Sequence, residues 1–220
     1  MKDRTRKIIV AVLLVIAVCC AGYLIWCYAT AAKTKQSYDD AKKLVTENVK
    51  PSKTDSDDGE QTKPEIPVDF TALQEKNPDI YAWIDMPGSI INYAVVQSED
   101  KDEFYSDHAV DGSYYSGGSI FSQRYNKRDF SDPVTVLYGH NMRDGSMFQN
   151  LHFFEDKTFF AEHPEFFIYL PGYRLTYEIF AAYRFDDTHL LGAFDFSKKK
   201  GRRAYIREVF ADHYSFDLKM

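Results

Sequence analysis

The feature that most limits the fold is an uncharged run from Ile8 to Ala32, preceded by Lys2, Arg4, Arg6 and Lys7. A membrane-spanning helix needs about 20 consecutive apolar residues. The apolar heart of the run, Ile8 to Tyr28, meets that length. Tyr23, Trp26 and Tyr28 gather at its far end, as aromatic residues do at a membrane–water interface. A cleaved signal peptide is the competing reading, but the run is long for one and no small-x-small site closes it. Val18 before Cys19, and Cys19 before Cys20, also make a poor lipoprotein cleavage site. An uncleaved anchor fits better. The basic flank argues for an inside N-terminus, although Lys33, Lys35, Lys42 and Lys43 lie on the other side.

This divides the chain into a tail (1–7), an anchor (8–30), a stalk and linker (31–68) and a globular domain (69–220). Residues 31 to about 50 can continue as a stalk helix. Residues 51–67 lose almost all apolar side chains and read as a solvated linker. Asp55, Asp57, Asp58 and Gly59 lack the alternation and closing Glu of a calcium loop, so no metal site is expected. All three cysteines, Cys19, Cys20 and Cys27, lie in the apolar run, so the domain holds no internal disulfide. The net charge of −6 argues against general nucleic-acid affinity. With 17 Phe and 16 Tyr the domain has ample core material, and its Tyr-rich segments suit a mainly β fold.

Within the domain, Asp69 is placed to cap a short helix over 70–76. Strands are expected at 81–86 and 90–97, a helical turn at 100–105 and a short strand at 119–122. Helical segments follow at 147–154 and 157–162. Pro171-Gly172 marks a hairpin between strands 166–170 and 174–185. Ser197 offers an N-cap for a helix running to about His213. The basic face of that helix, Lys198 to Arg207, is read as solvated surface, with contact to an anionic wall polymer as the alternative.

The most informative stretch is Val134 to Phe148. Val134-Thr135-Val136-Leu137 has a strand pattern, and Tyr138-Gly139-His140-Asn141 ends it at a turn. His140 thus sits on a loop held by a rigid element, a common place for a catalytic side chain. Tyr138-Gly139-His140-Asn141-Met142 and Gly145-Ser146-Met147-Phe148 resemble the histidine segment of class B sortases, the cysteine transpeptidases of Gram-positive cell walls. The resemblance runs in order from Asp69 to the C-terminus. It takes in Asp69-Phe70, Ala72-Leu73, Asn77-Pro78, Trp83-Ile84, Pro87-Gly88, Ile91-Asn92-Tyr93 and Val95-Val96-Gln97.

The resemblance implies a sortase-like β-barrel with added helices, behind a transmembrane helix and incomplete at the C-terminus. It implies an outside domain and His140 as the catalytic histidine. The implied reaction needs no cofactor. A sorting signal in a surface protein is cleaved and passed to a peptidoglycan amine through a thioester. The implied partners are those surface proteins, the wall amine and the membrane. Asn92, Tyr93 and residues 119–125 border the substrate groove by resemblance, with packing as the alternative for each.

In the family the nucleophile sits in a Thr-Leu-x-Thr-Cys strand after the long helix, and an arginine follows on the next strand. Neither is found in this chain, and the three cysteines lie where an apolar setting keeps a thiol protonated. The expectation is a sortase cut short and inactive as it stands, or else a non-catalytic module that binds sorting signals or wall peptide. Arg143 and Arg174 do not occupy the family's arginine position. Ser146 lacks a Gly-x-Ser-x-Gly elbow and is read as the cap of the helix at Met147. His108 and His163 are read as structural; His152 follows the motif helix, and His189 and His213 carry no signal.

Overall fold

A computed structural model describes residues 3–45, 66–184 and 188–211. Most of the expected linker, with its acidic cluster, lies outside the described residues, as does the end of the last expected helix. The first helix, α1 (Asp3–Lys42), is one continuous 40-residue rod. Its Arg6–Thr30 portion is long and apolar enough to cross a membrane, and its most apolar window packs against nothing. Beyond it the rod docks. Thr34, Tyr38 and Ala41 recur on one helical stripe and are buried against the domain. The stalk helix therefore ends at Lys42, not near residue 50. Val45 then bridges Val68 at the entry to the domain.

The domain opens with α2 (Phe70–Lys76), and Asp69 caps it as expected, accepting from Ala72 N at 3.0 Å. A five-stranded sheet follows: β1 (Ile80–Asp85), β2 (Asn92–Val96), β3 (Ile120–Phe121), β4 (Glu165–Leu170) and β5 (Tyr173–Glu178), in the order β3-β2-β1-β4-β5. β1 is the centre, antiparallel to both β2 and β4, while β2 and β3 run parallel. Trp83 is buried on one face of β1 and donates to Asn92 Oδ1. Ile84 and its partner Ile168 point to the other face. β4 and β5 form the expected hairpin at Pro171-Gly172. The helical turn is a 3₁₀ turn at Phe104–Ser106. Helix α3 (Lys157–Glu162) is capped by Asp156, which accepts from Thr158 N and Phe159 N. Helices α4 (Leu190–Ala193) and α5 (Lys199–Ala211) close the described chain.

Among the described residues the five-stranded sheet is open. Several other expectations need correction. Residues 134–137 form no strand; a single bridge joins Tyr138 to Phe121. Asn126 explains why the segment is nevertheless extended. Its side chain donates to Val134 O at 2.7 Å and accepts from Val136 N at 3.0 Å, standing in for a neighbouring backbone. β5 stops at Glu178, not 185. After Ile179 N donates to Pro164 O at 2.7 Å, residues 180–183 leave the ladder. The expected helix over 147–154 is a 3₁₀ helix at Phe148–Glu155. Ser197 does not cap α5, because its hydroxyl donates to Asp195 Oδ1 and the helix starts at Lys199.

Candidate active site

The loop bearing His140 is pinned from both ends. Tyr138 exchanges two backbone bonds with Phe121, at 2.7 and 3.0 Å. Phe148 N donates to His140 O at 2.9 Å, and Asn141 bridges Met147. Met147 N donates to the Tyr93 hydroxyl at 3.2 Å. Gly139 is packed tightly before the histidine. A Cβ there would lie 2.5 Å from Ile120 Cδ1 and 2.7 Å from the Phe148 ring.

The His140 ring is exposed, and its Nε2 lies 2.8 Å from the carbonyl oxygen of Ser106. A carbonyl only accepts, so Nε2 carries the proton and donates it. Nδ1 is left as the ring's lone pair. Asn141 Nδ2 donates to His152 Nε2 at 2.9 Å, and His152 Nδ1 donates to Glu155 Oε1 at 2.7 Å. This exposed Asn–His–Glu chain holds the residue next to His140. The hydrogen bond from His152 draws the Glu155 carboxyl below its ordinary range.

Beside the loop lies an apolar groove of about 1310 Å³. Ile84, Ile168 and Phe166 form its floor, and α5 contributes Ile206. Its two walls are the segments 134–137 and 179–183, which lie outside the strands of the sheet. Gly139 and Asn141, the two neighbours of His140, line it as well. Such a surface has the composition of a protein interior, not of a solvated face.

The other expected site residues fall as follows. Asn92 is the acceptor for Trp83. Tyr93 is buried, and burial raises its hydroxyl pKa. It supports the histidine loop from beneath through Met147, and neither residue lines the groove. Ser119 to Gln123 are buried in and around β3. Ser146 does not cap a helix: its hydroxyl donates to Asp144 Oδ1 at 2.6 Å, and Met147 precedes the 3₁₀ helix with φ +56. Arg174 stacks over Phe167, 4.9 Å from the ring centre. His108 and His163 each place Nδ1 against a backbone carbonyl four residues back and stack on the ring of that same residue, Phe104 and Phe159. The thiols stay in α1, remote in sequence from the loop. Sequence reasoning passed over His152 and Glu155, although their i, i+3 spacing was a usable signal.

No family model matches the chain. The sortase B of Listeria monocytogenes serovar 1/2a is 36% identical over 145 residues, which are 66% of this chain and 55% of that protein. The sortase B of Staphylococcus aureus is 30% identical over 178 residues, 80% of this chain and 68% of that protein. The chain belongs to the class B sortase family. The fold agrees: a crystal structure of sortase B from B. anthracis in complex with AAEK1 superposes with a TM-score of 0.64 at 26% identity. That match covers 88% of this chain and 86% of the other. The sortase match thus spans little more than half the length of the Listeria relative.

Proposed function

We propose that this chain serves a class B sortase reaction, with His140 as the group that moves the proton. A thiolate attacks the scissile carbonyl carbon of a sorting signal, and the C–N bond breaks. His140 passes a proton to the leaving amine. A peptidoglycan amine then attacks the thioester, forms the new amide and releases the thiol. No thiol occurs between Tyr28 and Met220. In the family pattern the cysteine and the arginine come on strands that follow the long helix. The apolar groove, walled by segments outside the sheet's strands, is the place for them. α1 anchors the protein with its N-terminus inside and the domain outside.

The observation that supports this reading is the His140 loop itself, pinned by β3 and Tyr93, with the flanking Gly139 and Asn141 lining that groove. The test uses the chain joined to a Thr-Leu-x-Thr-Cys strand and an arginine strand. A sorting-signal peptide and an amine acceptor are followed by mass spectrometry. Transfer is expected, and His140→Ala should lower it by about 10²- to 10⁴-fold. Transfer that survives His140→Ala would overturn the assignment. For topology, protease outside intact cells should remove the domain; full protection at an accessible surface would reverse the orientation.

A further inference from the structure

Among the described residues, Tyr38 and Lys42 carry the stalk half of α1 to Tyr93, the support of the catalytic loop, and Tyr38 alone of the two also bonds to Gly118. The Tyr38 ring is buried, edge-on to Tyr93 at 6.0 Å. Its hydroxyl donates to Gly118 O at 2.5 Å and lies 3.1 Å from Ser119 Oγ. Gly118 and Ser119 in turn lie against the 3₁₀ turn that ends at Ser106. Ser119 N donates to Tyr105 O at 2.9 Å, and Ser119 Oγ donates to His108 O at 2.9 Å. Gly118 has φ +58, and a Cβ on it would sit 2.5 Å from Ser106 O and 2.6 Å from Tyr105 O. Ser106 O is the atom that accepts the His140 Nε2 proton.

These contacts form one continuous line from the stalk to the imidazole. We propose that Tyr38 is a positioning residue for His140: by holding the Gly118–Ser119 segment against Ser106, the docked stalk keeps the ring in its Nε2-protonated tautomer. Nδ1 is then the atom offered to a thiol or a leaving amine. This rests on the reading of His140 as the proton-moving group, but its test needs no turnover. The ring is exposed, so little besides the Ser106 carbonyl selects between its tautomers. A shift of that carbonyl by a few tenths of an ångström weakens a bond that depends steeply on geometry. The consequence is that the anchor helix does more than tether: its seating reaches the catalytic base.

The experiment is ¹⁵N spectroscopy of the histidine rings in the full chain in detergent micelles. The His140 signals are those lost in His140→Gln. The native chain should show Nε2 protonated and Nδ1 bare. Tyr38→Phe removes only the hydroxyl and should replace that signature with a mixture of both tautomers. Gly118→Ala acts one link further on and should do the same, so the test stands even if Tyr38→Phe fails to fold. Tyr81→Phe removes another buried hydroxyl, which lies 2.7 Å from Ser122 Oγ, and should leave His140 unchanged. Three results would each overturn the proposal: an Nδ1-protonated ring in the native chain, an unchanged single tautomer in folded Tyr38→Phe or Gly118→Ala, or an equal change in Tyr81→Phe.

Discussion

β1 and the segment 134–137 are built from similar residues, and they end up in opposite states. Ile80 to Asp85 pairs with a strand on each side and is buried on both faces. Val134 to Leu137 is as rich in β-formers, yet it has a side-chain partner in Asn126 and an open edge on the groove. Residues 180–182, across the groove, also line it from outside the ladder. Strand propensity measures fit to a pleated, half-buried surface, not an intrinsic habit of the backbone. A run of Val and Thr becomes a ladder strand only where a neighbour offers donors and acceptors. The paired centre therefore carries the stability, and the rim outside the ladder borders the proposed site.

Substitutions should separate these regions. The largest effect belongs to the centre. Trp83→Ala removes a fully buried ring and its bond to Asn92, and should cost about 3–5 kcal/mol in denaturant unfolding of the full chain. A loss of under about 1 kcal/mol would break the contrast, because it would place the core elsewhere. Asn126→Ala comes next. It strips Val134 O and Val136 N of their partner, and should cost about 1–3 kcal/mol. It should also speed hydrogen exchange at Val136 while leaving the β1 amides unchanged. Loss of the Asp69 cap by Asp69→Ala should cost about 1 kcal/mol, read from the same unfolding curves.

Asp156 gives a pH signature at the rim. Backbone bonds from Phe159 N and Thr158 N draw its carboxyl below the ordinary 3.8. Its contribution is fully present above that value and is lost as pH falls below it, through the lowered native value. Asp156→Asn should therefore flatten the acid side of the stability curve. An unchanged slope would remove Asp156 from the acid response. The smallest effect is expected in the groove itself. Ile206→Ala should cost less than about 1 kcal/mol, since the residue is 40% exposed.

Which parts were legible in the sequence follows the same division. Local signals came through: the Asp69 cap, the Pro171-Gly172 hairpin and the strands at β1 and β2. Each rests on residues within a few positions of one another. What failed needed a distant partner. Residues 134–137 looked like a strand because their pattern says nothing about Asn126 as a substitute for one. Ser146 and Ser197 looked like caps, but an aspartate two residues earlier takes each hydroxyl instead. Tyr38 lies 80 residues from Gly118, so no spacing rule reaches that contact. The Asn141–His152–Glu155 chain was partly visible as an i, i+3 pair. Its link to the neighbour of His140 was not, because it needs the loop to be folded.

The proposed function assigns the groove beside His140 to the strands that bear the cysteine and the arginine. Backbone hydrogen exchange at Thr135, Leu137 and Ala181 tests this most directly. These amides should exchange fast in the 220-residue chain, while those of β1 are protected. Joining the strands that bear the cysteine and the arginine should protect all three amides. Exchange that stays fast in a joined, folded protein, or protection already present in the 220-residue monomer, would contradict the claim.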